Sequence, residues 1–133
     1  LSGVSLVVDC SDNAAVRYAI NARCVAHAIP WVSGAAIGFS GQVAVFDPRD
    51  SLSPCYGCLY PNLNDQQLSC AEAGVLSPLV GVIGSMQALE ALRLISPFGS
   101  PQAGWLATYD AKAGQWQRWQ LSKRSNCPHC NPV

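Results

Sequence analysis

The chain has 133 residues, half of them apolar and 12 % charged, and its formal net charge is zero. This length supports one core and is short for two ordinary domains, so we expect residues 1–133 to form a single domain. The eight basic residues form no dense run, which argues against nucleic acid as a partner. No basic segment precedes the first apolar run, so no signal peptide is visible and we expect a cytoplasmic protein.

The first predicted elements are a strand and a helix. Val4–Val8 is a short continuous apolar run, typical of a parallel strand buried on both faces. Ser11 or Asp12 can cap a helix that runs to about Ala28, because either side chain can accept from the free amides of a first turn. We expect the alanines of this helix to form one face and two arginines to reach solvent: Arg17 and Arg23.

Two more strands and a long loop follow. Trp31–Ala36 and Gln42–Phe46 have the composition of strands, with glycines marking a turn between them. Residues 47–77 show no sustained periodicity, and a loop of this length inside a compact domain is usually functional.

A long apolar helix and a hairpin complete the chain. Ser77 and Pro78 suit the N-cap and first residue of a helix that ends near Ser96. Its apolar stretch is about as long as a membrane span, but it contains glycines and three polar residues, Gln87, Glu90 and Arg93. We therefore expect a core helix. The segments 105–109 and 115–121 predict a hairpin. The order β-α-β-β-α-β-β predicts an α/β fold with a mixed sheet.

Two C-x-x-C units are the strongest motif in the chain. They contribute four of the seven cysteines: Cys55, Cys58, Cys127 and Cys130. Four thiolates at this spacing predict a closed structural zinc site that staples the end of the chain onto the long loop. Disulfides or a redox C-x-x-C motif are the alternatives, although Pro54 and Gly57 favour a turn over the helix start that a redox motif requires.

Two further side chains are candidates for chemistry. Asp12 stands just beyond the carboxyl end of the first strand, where α/β sheets place ligands, and a carboxylate there suits Mg²⁺. A simple helix cap is the alternative. Cys70 lies in the long loop outside both C-x-x-C units, so it is either a nucleophile or a spare thiol. Cys10 and Cys24 suit buried positions.

Several segments together resemble the MoeB/ThiF/HesA adenylyltransferases, a family similar to ubiquitin-activating enzymes. The first is the pattern D-N-x-x-x-R-x-x-x-N-x-x-C, which begins at Asp12 and ends at Cys24. The other matching segments are 32–38, 41–42, 55–58, 70–75, 81–90 and 127–130. The resemblance therefore covers essentially the whole chain.

The resemblance implies the C-terminal half of a Rossmann-like ubiquitin-activating-enzyme fold. It implies that Asp12 coordinates the Mg²⁺ of ATP while the C-terminal glycine of a ubiquitin-like sulfur-carrier protein attacks the α-phosphate. Cys70 matches the loop cysteine that takes part in sulfur transfer in the ThiF branch. A homodimer is also implied.

The family's nucleotide loop has no counterpart here, because no G-x-G-x-x-G motif or substitute occurs. We therefore expect activity in a longer protein and none in this chain alone. Residues 33–36 are similar to the molybdopterin branch, whereas Gly38-Phe39 and Gln115-Trp116 are similar to the thiamin branch. A non-catalytic zinc-stabilised binding module and a thiol oxidoreductase are the competing functions.

Overall fold

The computed structural model describes residues 3–61, 74–96 and 98–130. Its elements follow the predicted order, with one short helix added: β1 (Val7–Asp9), α1 (Ala14–His27), β2 (Trp31–Ile37), β3 (Ser40–Phe46), α2 (Tyr56–Leu59), α3 (Ser77–Ile95), β4 (Trp105–Asp110) and β5 (Gln115–Gln120). This alternation confirms the mixed α/β class.

The five strands form one mixed sheet in the order β1-β2-β3-β4-β5. Only β1 and β2 are parallel, and the other three pairs are antiparallel. The parallel pair requires a crossover, which α1 supplies. Both strands therefore run toward the same edge of the sheet, where β1 ends at Asp9 opposite Ser33 and β2 continues to Ile37.

The two faces of the sheet bury different groups. One face packs against α3 through Val32, Val43 and Val45, which contact Leu79 and Ile83. The opposite face carries an aromatic core against α1 and α2: Trp31, Phe46, Tyr56, Cys24 and Leu106. Helix α3 is long and apolar enough to cross a membrane by length and composition alone, with a mean hydropathy of 1.3. It packs on the sheet as expected of a core helix, but only one of its faces is buried.

Three predictions about the start of the fold are wrong. Strand β1 spans only Val7–Asp9, and Val8 is 41 % exposed because the described residues leave the face of the strand from which it projects partly uncovered. The cap of α1 is neither Ser11 nor Asp12 but Asn13, whose side chain accepts from the amide of Val16 at 2.9 Å. Arg17 does not reach solvent, since it pairs with a buried carboxylate at the end of β1.

Two later boundaries also differ from the predictions. Leu76, not Ser77, occupies the N-cap position of α3, without a side-chain hydrogen bond. The first C-x-x-C unit is not a simple turn, because the amides of Cys58 and Leu59 both bond to the carbonyl of Cys55 and close one helical turn, α2.

The contact between α3 and the sheet yields a first prediction. A Cβ added at Gly41 would lie 2.5 Å from Cδ1 of Ile83, so Gly41→Ala must displace the Ile83 side chain or the helix that carries it. We expect it to lower the free energy of unfolding by about 1–3 kcal/mol, as overpacking does. Gly81→Ala is the control: it meets no atom within 4 Å and replaces a helical glycine, so it should stabilise the protein. Equal effects of both variants in thermal unfolding would contradict the packing.

Candidate functional site

The four predicted cysteines come together in one cluster. Their sulfur atoms all lie within 4.8 Å of one another. The sulfur–sulfur distances are 3.9 Å between Cys55 and Cys58, 3.7 Å between Cys55 and Cys127, and 3.5 Å between Cys58 and Cys130. These separations are far longer than a disulfide bond of about 2.05 Å. They match the roughly 3.8 Å edge of a tetrahedron with metal–sulfur bonds of about 2.3 Å. The donor set therefore fits a tetrahedral metal ion.

Local structure brings the two halves of the cluster together. Helix α2 holds one pair of cysteines, and the segment after β5 supplies the other. The amide of Arg124 contacts the sulfur of Cys58 at 3.5 Å. Gly57 lets the segment that carries the second pair of cysteines pack closely, because a Cβ at position 57 would lie 2.2 Å from the His129 ring. The glycine between the first two cysteines is thus a packing requirement.

Burial shapes the acidity of these thiols. It raises the pKa of Cys55 to about 11, although the neighbouring Asn21 amide acts in the opposite direction. Burial and contacts with the other thiols raise the pKa of Cys130 as well. For Cys127, burial raises the pKa, but hydrogen bonds from the amides of His129 and Cys130 and from neighbouring thiols outweigh it, so the pKa is lowered. Metal ligands must be thiolates, so binding of a metal has to displace protons.

A second candidate site lies at the carboxyl end of β1. Asp12 is exposed there, at the rim of a cavity of about 260 Å³ between the loop 10–13, the end of β2 and α3. Its carboxylate forms no ion pair with any residue in the described ranges. Because Asn13 already caps α1, Asp12 is not needed as a cap. The carboxylate is therefore available to a cation.

Buried polar groups hold the loop that carries Asp12. Asp9, 4 % exposed, accepts from the amide of Ser11 at 3.0 Å and pairs with Arg17 Nε at 3.4 Å. Arg17 also donates to the carbonyl of Ser11 at 2.6 Å. From α3, Gln87 Nε2 donates to the carbonyl of Asp9 at 2.6 Å. The loop is thus fixed from both sides of the sheet.

Comparison with known proteins decides the family. The model of the ThiF family matches residues 1–129. The chain belongs to the ThiF family. It is 45 % identical over 130 residues to a molybdopterin-synthase adenylyltransferase of Salmonella typhimurium, covering 98 % of this chain and 52 % of that protein.

A second relative of this ThiF-family chain is the sulfur carrier protein ThiS adenylyltransferase of Escherichia coli, 44 % identical over 125 residues, covering 94 % of this chain and 49 % of that protein. The chain thus spans about half the length of the curated relatives it matches. Among solved structures, the crystal structure of E. coli MccB with ATP superposes with a TM-score of 0.75. That match has 13 % identity and covers 95 % of this chain and 40 % of the other, so it shows the fold alone.

The other predicted thiols of the ThiF-family chain have different outcomes. Cys70 lies outside the described residues. Cys24 is fully buried as predicted, and burial raises its pKa to about 11. Cys10 was predicted to be buried but is exposed, because it points from the end of β1 into the cavity beside Asp12, 3.8 Å from Oε1 of Gln87.

Sequence reasoning missed the residues beneath the Asp12 loop: Asp9, Arg17 and Gln87. A signal was present in two of them. Arg17 lies one turn before Asn21 and two turns before Cys24, a stripe that a core-facing helix buries. Gln87 interrupts an otherwise apolar helix. A polar residue on a buried stripe indicates a specific polar partner.

Proposed function

We propose that the full-length protein is an ATP-dependent adenylyltransferase of the MoeB/ThiF type. It activates the C-terminal glycine of a ubiquitin-like sulfur-carrier protein for thiocarboxylate formation in molybdopterin or thiamin biosynthesis. One observation carries the proposal: Asp12 is exposed at the carboxyl end of a parallel strand, forms no ion pair with the described residues, and lies in a loop held by buried polar groups. Two curated relatives named as adenylyltransferases support it.

The chemistry assigned to this chain is electrostatic. Asp12 would hold Mg²⁺, which neutralises the phosphates of ATP while the carrier's carboxylate attacks the α-phosphate and pyrophosphate leaves. Asp9, Arg17 and Gln87 keep the loop in place, so that the Asp12 carboxylate is oriented before ATP arrives. The MccB structure with this fold was solved with ATP.

A groove beside Asp12 supports a flexible peptide tail as the second substrate. The cavity at Asp12 shares Ala35 with a neighbouring cavity of about 330 Å³. That second cavity runs across the sheet and is lined by polar side chains of the last two strands, including Thr108 and Gln117. An extended carrier tail would follow this path toward Asp12.

The metal in the cysteine cluster is proposed to be zinc, because four thiolates in a tetrahedron suit this ion and leave no open position for catalysis. The protein would be a cytoplasmic homodimer, with Cys70 as the candidate for sulfur transfer. Sedimentation or light scattering on the full-length protein tests the dimer, and Cys70→Ser in a sulfur-transfer assay tests the thiol.

Pyrophosphate exchange tests the proposed function. The full-length protein should exchange labelled pyrophosphate into ATP only when its carrier is present, whereas the isolated chain should show no exchange. The reason is that Asp12 is the only phosphate-directed group we assign to the chain, and positioning needs several. Absence of exchange in a metal-loaded full-length protein would instead favour the non-catalytic zinc-stabilised binding module.

A further inference from the structure

A third cavity lies between the C-terminal half of α3 and the strands β3, β4 and β5. Its volume is about 380 Å³, which is within the range of small-molecule sites, roughly 300–1,000 Å³. Its lining is largely apolar and includes Val43, Met86 and two tryptophans of the hairpin, Trp105 and Trp116. None of its described lining residues belongs to either cavity near Asp12. The cavity is therefore separate from the candidate site for ATP.

Glu90 of α3 brings a buried carboxylate to this cavity. The side chain is 5 % exposed, and its Oε1 accepts from Nη1 of Arg93 on the next turn of the helix. Its Oε2 is also buried and has no hydrogen-bond donor among the residues that the structure describes. A buried carboxylate oxygen without a donor costs free energy, so native proteins almost always supply one. The cavity therefore suits a ligand that brings an N–H or O–H group to Glu90.

The strand side of the cavity carries a guanidinium group. Arg118 of β5 is exposed, and its guanidinium carbon lies 4.3 Å from the centre of the Trp105 ring. Its Nη2 donates to the side-chain oxygen of Gln102, which also lines the cavity. Arg118 forms no ion pair within residues 3–61, 74–96 and 98–130. A guanidinium held on an aromatic ring in this way can bind a carboxylate through its remaining N–H groups.

The charges and the exposed ring define the class of ligand. Glu90 is neutralised by Arg93, whereas Arg118 has no anionic partner in the described part of the chain, so the cavity favours an anion. Trp116 packs its ring against Tyr109 at 4.7 Å and is still 40 % exposed. An exposed indole ring favours contact with another aromatic ring. The ligand should therefore combine an aromatic body, a hydrogen-bond donor and a negative charge.

We propose that this cavity binds a small aromatic carboxylic acid that carries a ring N–H or O–H group. The aromatic ring packs on the apolar lining beside Trp116. The ring donor bonds to Oε2 of Glu90 at the buried end, and the carboxylate pairs with Arg118 at the exposed end. Indole carboxylates have all three features. This site does not rest on the adenylyltransferase function, because it shares no residue with the Asp12 site.

Binding of indole-3-acetate to the full-length protein tests the proposal. Met86 lines the cavity and is the only methionine of this sequence, so its labelled methyl group reports on the cavity in NMR spectra. Loss of the signal in Met86→Leu assigns it. We expect indole-3-acetate to shift this signal. Its N-methylated analogue should bind about tenfold more weakly, because the hydrogen bond to a charged group is lost.

Arg118→Met tests the charged end of the site. It should weaken binding of indole-3-acetate about tenfold. It should leave unchanged the binding of skatole, which has a methyl group in place of the acetate group. Arg23→Met is the matched control, since Arg23 is exposed and lies outside the cavity, and it should change neither affinity.

Three results would each overturn the proposal. The first is a Met86 signal that stays in place at millimolar indole-3-acetate, which is also the result expected if another segment of the full-length protein or a second copy fills the cavity. The second is equal affinity for indole-3-acetate and its N-methylated analogue. The third is an Arg118→Met variant that binds indole-3-acetate as the wild type does, or that loses skatole to the same extent.

Discussion

Asp12→Ala in the full-length protein is expected to lower the rate of pyrophosphate exchange by about 100- to 1,000-fold, the range seen when one electrostatic group at a transition state is removed. The loss should come without unfolding, because Asp12 is exposed and forms no ion pair in the described part of the chain. Exchange rate and melting temperature, measured on the same preparation, check both statements.

The neighbouring residue provides the control for Asp12. Asn13→Ala removes the observed cap of α1 and should lower the free energy of unfolding by about 1 kcal/mol. The two adjacent substitutions should thus have different effects: Asp12→Ala should lose activity, whereas Asn13→Ala should lose stability. Wild-type exchange rates in Asp12→Ala would contradict the assignment of Asp12 to Mg²⁺. A loss of stability in Asp12→Ala but not in Asn13→Ala would indicate that Asp12 is the helix cap.

Loss of one ligand of the cysteine cluster should have the largest effect on stability. Cys127 is fully buried among the other three sulfurs, so Cys127→Ser should release the metal. A structural zinc site contributes on the order of 10 kcal/mol to folding, which is comparable to the whole stability of an ordinary domain. We expect one zinc per chain in the wild type, little in the variant, and a collapse of the thermal transition.

Cys24→Ala is the matched control for this experiment, because Cys24 is equally buried but lies outside the cluster. It should keep the metal and lose only about 1–2 kcal/mol of stability. Chelation of the wild-type protein gives the same information where Cys127→Ser fails to accumulate. Full zinc content and an unchanged melting temperature in Cys127→Ser would exclude the four-cysteine site.

The sequence predicted the strands and the cysteine cluster because both depend on patterns that local chemistry enforces. Apolar runs such as Trp31–Ala36 have few alternatives to a buried strand, and C-x-x-C spacing restricts the geometry of two sulfurs. The same reasoning failed where a partner distant in the sequence decides whether a side chain is buried. Arg17 shares a helix stripe with Asn21 and Cys24, but it was assigned to solvent because the helix pattern does not identify its partner Asp9, eight residues earlier.

The choice of cap shows a finer limit of sequence reasoning. Ser11, Asp12 and Asn13 can all cap a helix, and the sequence alone ranks them almost equally. In the structure, Asp9 and Arg17 hold the backbone amide and carbonyl of Ser11, Asn13 takes the cap, and Asp12 lines the cavity. The functional assignment of one carboxylate thus depends on a buried ion pair that no local pattern encodes.

The cysteine cluster also alters how the chain is connected. Cys55 and Cys127 are 72 residues apart, as are Cys58 and Cys130. With a metal bound at all four sulfurs, the intervening chain becomes a closed ring that contains α3 and the hairpin β4–β5. A single break of the backbone anywhere in that ring would leave two polypeptides that stay joined through metal–sulfur bonds as well as through the pairing of β3 with β4.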